Sequence, residues 1–312
     1  MAVQPIPLAS THSNSDSDRD SNNHPDQTAH PGDSHPRPVR PRMSTRNRII
    51  FFLTAWLVVL MPFMFWWSTW FGRALTSKEM NEYLNDASHP RHIQHAIVQL
   101  GQRMSRQDSS AARWYPDLVR LASSPREEVR STDAWVMGQD TSGQGFHETL
   151  LKMLDDPSLV VRGNAALSLV GFGDATGRPQ IVSLLQPVAI VAPSASRVVD
   201  TAAIGTAIHQ GGLVAKLQTI DGQQSELRSP ITGRVRTLAT ATGATVVQGS
   251  TMATVEPGDE QAWEALRALY LVGQLEDLPA IRPYERELPE VPQRLRQQAI
   301  ETEKAIQQRA SK

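Results

Sequence analysis

LDDPSLVVRGNAALSLVG, Leu154 to Gly171, holds the pattern from which most of the chain can be read. A leucine closes one helix, a short polar turn carries Pro157, a second helix opens on apolar residues, Ala165 lies on its inner face and Gly171 stands at its end. Each residue type has a local reason. Proline fits the start of a helix, where its missing N–H removes no bond, and glycine accepts the left-handed backbone that ends one. Alanine lets a neighbouring helix come close.

The same grammar recurs upstream in LNDASHPRHIQHAIVQLG (Leu84 to Gly101) and LASSPREEVRSTDAWVMG (Leu121 to Gly138). Pro90 and Pro125 take the place of Pro157, Ala96 and Ala134 that of Ala165. Downstream, EALRALYLVG (Glu264 to Gly273) repeats the ending, and Pro292, Leu295-Arg296 and Ala299 restore the proline, apolar-Arg and alanine positions. The period is roughly 32 to 37 residues, the length of one helix pair in a helical repeat. The pattern resembles the HEAT repeat family, including the short variety first associated with phycobilisome lyase subunits; Val129-Arg130 and Val161-Arg162 match the family's Val-Arg position. That resemblance implies an α-solenoid of HEAT-like helix pairs over 76–186, continued and capped over 259–312. An ordinary helical bundle is the alternative.

Between these parts the composition changes. From Val188 to Pro257 the chain is rich in Val, Thr, Ile, Ala and Gly, which predicts strands. It contains a duplication: Pro193 leads to Gly205, Ile208 and Gly211, and Pro230 leads to Gly243, Val246 and Gly249, each followed by an alternating segment, Leu213 to Leu217 or Thr251 to Val255. Two copies of one half-motif predict a pseudo-twofold β-sandwich. The second copy is similar to the biotinyl/lipoyl-like barrel-sandwich hybrid of biotin carriers and membrane fusion (periplasmic adaptor) proteins, through Pro230, Gly233 and Val235 and the Gly243, Val246, Gly249 turn. The resemblance implies an inserted all-β domain over 188–257, placed after Leu185 and before Trp263. In the carriers a lysine occupies the hairpin between the halves; here Asp221-Gly222 stands there, with no amine to acylate, and Lys216 reads as a solvated strand residue. In membrane fusion proteins the junction usually holds a long helical hairpin, and only about a dozen residues separate Leu217 from Ser229, too few to hold one. Asp-Gly predicts a tight hairpin turn with positive φ at both central residues.

Ile49 to Phe71, IIFFLTAWLVVLMPFMFWWSTWF, has no charged residue and is long enough to span a bilayer. Trp66, Trp67, Trp70 and Phe71 crowd its far end as an interfacial belt would, and Pro62 predicts a kink. Arg37, Arg40, Arg42, Arg46 and Arg48 precede it, against Arg73 and Lys78 after it. The positive-inside rule then predicts a single-pass inner-membrane protein, N-terminus cytoplasmic and C-terminal domains periplasmic. An uncleaved anchor fits better than a signal peptide because the apolar run is long and no small-x-small site follows. Residues 1–48, rich in Ser, Asp, Asn, His and Pro, predict a disordered cytoplasmic tail. His12, His24, His30 and His35 are too irregularly spaced in such a tail to make a metal site.

The expected fold class is therefore multidomain α+β: a transmembrane helix (49–71), helix pairs, and an inserted β domain. A net charge of −1 gives no whole-protein footprint for nucleic acid, and the absence of cysteine excludes disulfides and thiolate chemistry. No catalytic signature emerges. His147-Glu148 opens a zinc-protease pattern, but Leu151 stands at its second histidine, and the glycine-rich Gly171 to Gly177 has no strand before it and no Lys-Ser/Thr after it. No catalytic, cofactor-binding or metal-binding residues are expected, no cofactor, and no enzymatic activity. Arg130, Arg162 and Arg296 occupy equivalent repeat positions and read either as a basic ladder for an acidic partner or as bridges between repeats.

The expected function is a non-catalytic, membrane-anchored scaffold or adaptor for protein–protein interaction in the cell envelope, touching the lipid bilayer through Ile49 to Phe71. One alternative is a subunit of a membrane-fusion-type transport or secretion assembly, with an envelope transporter as partner. A lyase-like catalytic helper is the other, and the expected periplasmic placement counts against it.

Overall fold

The structure, a computed structural model, describes residues 44–70 and 73–311, without the side chains of 48 and 65–70. Expectations for the tail before 44 and for the Trp66, Trp67, Trp70, Phe71 belt lie outside the described residues. The chain divides into two units, Met1–Phe71 and Gly72–Lys312. In the first, α1 (Thr45–Trp70) begins four residues ahead of the uncharged run and continues through Pro62. Its apolar side chains are exposed, among them Phe52, Trp56 and Val59. It is long and apolar enough to cross a membrane.

The second unit mixes helices with antiparallel sheet. Its helices come in short–long pairs: α2 (Ser77–Leu84) with α3 (Pro90–Ser105), α4 (Tyr115–Leu121) with α5 (Glu127–Met137), and α6 (Phe146–Met153) with α7 (Leu159–Gly171). Then α8 (Arg178–Ser183) is separated from α9 (Asp259–Val272) by all eight strands, and α10 (Leu278–Ile281) precedes α11 (Gln293–Ala310). The longer helices pack in series, α3 on α5, α5 on α7, α7 on α9 and α9 on α11. One continuous core joins the pairs, with Leu84, Ile97, Leu118, Met137, Leu150, Leu169, Leu266 and Ile281 fully buried in it. No pair could bury its apolar face alone.

Two features of the repeat differ from the sequence expectation. Proline opens the second helix in α3 alone; Pro125 and Pro157 lie in the turns, and Arg126 and Ser158 are the N-caps, Ser158 accepting a bond from the Val161 N–H. Nor do the repeat glycines supply a left-handed stop, although Gly138 is the C-cap of α5 and Gly171 the last residue of α7. Gly101 lies inside α3 and Gly138 has φ −69°. A Cβ at Gly101 would meet Val136 Cγ2 at 3.0 Å, and one at Gly138 would strike the Ser168 hydroxyl and come within 2.7 Å of its Cβ. These glycines exist for close helix–helix approach. The left-handed residues that close α3 and α7 come later, at Gln107 and Gly173, with Asp108 N–H bonding Arg103 O and Asp174 N–H bonding Leu169 O.

The strands are β1 (Val188–Val191), β2 (Ser196–Thr201), β3 (Ala207–Ile208), β4 (Leu213–Thr219), β5 (Gln224–Arg228), β6 (Gly233–Leu238), β7 (Thr245–Val246) and β8 (Thr251–Pro257). They form two four-stranded sheets, ordered β1-β8-β6-β3 and β5-β4-β2-β7. Advancing every strand number by four, counted around eight, turns one order into the other. The hydrogen bonds repeat this exchange: Gly211 N–H bonds Ser229 O and Gly249 N–H bonds Ala192 O, both 2.8 Å. The paired turn glycines Gly205, Gly211, Gly243 and Gly249 all have φ between 75° and 89°, a region that a side chain disfavours. At the β4–β5 hairpin only Gly222 has positive φ, and Gly222 N–H bonds Thr219 O. The loop is thus a turn closed by a glycine bulge rather than the two-residue turn expected.

Candidate functional site

Leu159, at the first turn of α7, packs against the sheet cluster of Ile190, Val235 and Val255. This contact seats the strands on the exposed face of the longer helices and leaves a hollow on either side of the leucine. On one side a groove of about 980 Å³ runs between the N-terminal ends of α3, α5 and α7 and the Gln210-Gly211 and Ser229-Pro230 turns. Its walls carry two carboxylates, Glu127 and Glu128, the Arg162 guanidinium, and the polar Gln94, Ser131 and Thr132. Gln210 Nε2 donates to Glu127 Oε1 across it at 3.1 Å. On the other side a hollow of about 470 Å³ is lined by the apolar Val160, Leu167 and Ile231 together with Asn164, Gln261 and the carboxylates Glu260 and Glu264, with Trp135, 49% exposed, at its rim. Hydrogen-bonding groups next to an apolar seat and an exposed indole suit a polypeptide segment that offers both backbone and an apolar anchor.

The groove walls are held by bonds between successive helices. Asn164 Nδ2 donates to Ser131 O at 2.9 Å, and the buried Ser168 hydroxyl donates to Ala134 O at 2.8 Å. Arg130 serves the same purpose, whereas Arg162 closes the turn before its own helix. The Arg130 fork holds Asp156 in the next pair, and Arg162 Nη1 donates to the Asp156 and Pro157 carbonyls at 2.6 and 3.0 Å. Arg296 donates to Glu285 O and pairs with Glu287 at 3.3 Å. These arginines therefore do not align as a free basic ladder.

The other residues singled out in the sequence have local partners. His147 Nε2 lies 2.7 Å from Asp174 Oδ2, beside Phe172, and Glu148 is exposed. The Gly171 to Gly177 loop is a helix-to-helix turn in which Thr176 N–H bonds Asp174 Oδ1. Lys216 is exposed in β4, in register with Asp200 and Glu226. Ile220, at the tip of the β4–β5 hairpin, is 91% exposed.

Two groups escaped sequence reasoning. Asp133 in α5 is fully buried, neither carboxylate oxygen has a hydrogen-bond partner, and burial pushes its carboxyl well above the usual range against the pull of Arg120. Asp86, His89 and His92 converge in the α2–α3 turn, where the D-x-x-H-x-x-H spacing was the available signal.

No protein family and no curated protein matches the chain. Among the solved structures to which the chain is similar are two with low TM-scores. A single-chain, multi-domain long-chain acyl-CoA carboxylase is 20% identical over 33% of this chain, with a TM-score of 0.23, and the chain spans only 10% of that enzyme's length. An engineered protein is 16% identical over 74% of this chain and 80% of its own, with a TM-score of 0.37.

Proposed function

We propose that this protein is a non-catalytic, membrane-anchored adaptor that holds an extended segment of a partner protein in the groove between its helix pairs and its sheets. In this reading α1 is a single-pass inner-membrane anchor with a cytoplasmic N-terminus. The helix pairs over 76–186 and 259–312 are a HEAT-like α-solenoid, and 188–257 is an inserted biotinyl/lipoyl-like barrel-sandwich hybrid, all facing the periplasm. The serial packing of α3, α5, α7, α9 and α11 supports the solenoid, and the exchange relation between the two sheets supports the hybrid. The observation that carries the functional reading is the pair of hollows either side of Leu159, one bearing Glu127, Glu128 and Arg162, the other joining apolar Val160, Leu167 and Ile231 to Glu260 and Glu264 with Trp135 at its rim. Gly222 in place of the carriers' lysine argues against acyl or biotin carriage.

A photo-crosslinking residue tests it, placed in the full-length protein in its native membrane at Thr132, at Trp135 and, as a control on the opposite helices, at Lys152. One shared adduct from Thr132 and Trp135, absent from Lys152, supports the groove. Equal labelling from all three sites contradicts it.

A second reading, a subunit of a membrane-fusion-type transport assembly, is favoured by one observation. Ile220 is an apolar side chain held almost wholly in solvent at the hairpin where adaptor proteins extend toward their partners. A transporter adduct from position 220, with none from the groove, selects that reading.

A further inference from the structure

We propose that Asp86, His89 and His92 form a binding site for a divalent transition-metal ion of the zinc class, at the mouth of the α2–α3 turn. The residues come from one short segment, DASHPRH, which the backbone holds in place: Asp86 N–H bonds Tyr83 O, His89 N–H bonds Asp86 O and His92 N–H bonds His89 O. One ligand atom from each side chain lies within 4.8 Å of the other two. His89 Nδ1 is 2.9 Å and His92 Nδ1 2.8 Å from the same Asp86 oxygen. Two imidazole nitrogens and a carboxylate oxygen around a tetrahedral ion, at about 2.0–2.2 Å from it, stand roughly 3.3–3.5 Å apart. Each nitrogen–oxygen distance therefore needs to open by about half an ångström to admit the ion, which takes the place of the two ring protons now directed at the carboxylate, while the two nitrogens, within 4.8 Å of each other, settle at the same separation.

The surroundings orient these ligands. The His92 ring is stacked on Tyr83, centroids 4.4 Å apart and planes 10° apart, which fixes the direction of its nitrogens. The Ser88 hydroxyl donates to the second Asp86 oxygen at 2.6 Å, the kind of outer contact that holds a metal-binding carboxylate in place. A cavity of about 550 Å³ opens on both imidazole rings, bounded on its far side by Arg126 and Glu128. It gives access from solvent and room for a water, or a donor from a bound partner, in the remaining coordination position.

The donor set decides the ion. Two imidazoles with one carboxylate suit zinc and its neighbours, whereas calcium and magnesium require oxygen ligands throughout. Gln94 and Glu128 line both this cavity and the polar groove, so the ion would stand at one end of that groove.

The test is a Co²⁺ titration of the purified full-length protein in detergent, with His12, His24, His30 and His35 replaced by Gln so that the tail contributes nothing. The proposal expects one equivalent of Co²⁺ with the intense visible absorption of four-coordinate cobalt, displaced by Zn²⁺. His89→Ala and His92→Ala each weaken binding at least tenfold, while His147→Ala leaves it unchanged. Zn²⁺ raises the unfolding temperature of the parent and not of the His89→Ala, His92→Ala double variant. Circular dichroism of that variant establishes that it is folded. The absence of a one-to-one cobalt complex, or a folded double variant that binds as tightly as the parent, overturns the proposal.

Discussion

Arg130 on α5 forks onto Asp156 in the turn before α7, Nε to Oδ2 at 2.6 Å and Nη2 to Oδ1 at 2.9 Å, so that two successive helix pairs are joined by one side chain. Both side chains are largely buried, 13% and 9% exposed. Burial pushes the Asp156 carboxyl upward, but the hydrogen bonds from Arg130 and from the Ser158 N–H outweigh it and hold the group below its usual range.

Asp156→Ala leaves the guanidinium without its partner and costs about 2 kcal/mol, between the values for exposed and for buried pairs. Because the folded carboxyl titrates lower than the unfolded one, the contribution is present above the unfolded value of 3.8 and disappears as the pH falls through the folded one. Chemical denaturation at pH 7 separates parent from variant, and the separation narrows toward pH 3.

Asp133 has the opposite linkage. Its carboxyl stays protonated in the fold to a higher pH than in the unfolded chain. Its stability contribution is complete below 3.8 and is lost as the pH rises toward the folded value. Asp133→Asn therefore stabilises the protein at pH 7, by about 1.4 kcal/mol for each unit separating the two titrations, and has no effect near pH 3. Thermal unfolding of both proteins across that range measures it.

Gly138→Ala and Gly171→Ala distinguish close approach from helix termination. The first drives a methyl group into Ser168 and costs about 1–3 kcal/mol. The second meets Thr141 Cγ2 at 3.5 Å and Gly138 O at 3.9 Å, both ordinary contacts, and is neutral or stabilising by up to about 1 kcal/mol. Equal losses in both, read from denaturant midpoints, contradict this account of the repeat.

Glu285 and Glu303 lie together beside Arg282, and burial, followed by Glu303, pushes the Glu285 carboxyl up to about 7. The contact between this segment and α11 is complete below the unfolded value of 4.5 and weakens as the pH rises through 7. Glu285→Gln removes that dependence. Hydrogen-exchange protection of α11, taken relative to the intrinsic exchange rate at each pH, is lower at pH 8 than at pH 5.5 in the parent and unchanged in the variant.

Local rules made much of the architecture legible. The three proline turns mark breaks between helices, and the paired glycines of Gly205-Gly211 and Gly243-Gly249 announce two related groups of strands. What the residues could not reveal depends on distant neighbours. A glycine at the end of an apolar helical run looks the same whether it stops the helix or admits Ser168 from the next pair. The groove joins Glu127 on α5 to Gln210 in the turn before β4, 83 residues apart, a distance no local pattern spans. Asp86 lies in the turn, His89 is the N-cap of α3 and His92 stands in its first turn, so no single helical face carries all three. Asp133 occupies a helix position whose burial depends on what packs over it.

The compartment assigned to the helix pairs and sheets rests on the arginines ahead of the apolar helix, and a pair of reporters fused after Lys312 tests it directly. Alkaline phosphatase matures only outside the cytoplasm, and a suitable fluorescent protein only within it. The account predicts phosphatase activity and no fluorescence in membranes that retain the full-length chain. Fluorescence without phosphatase activity would place the folded region in the cytoplasm and contradict the envelope adaptor.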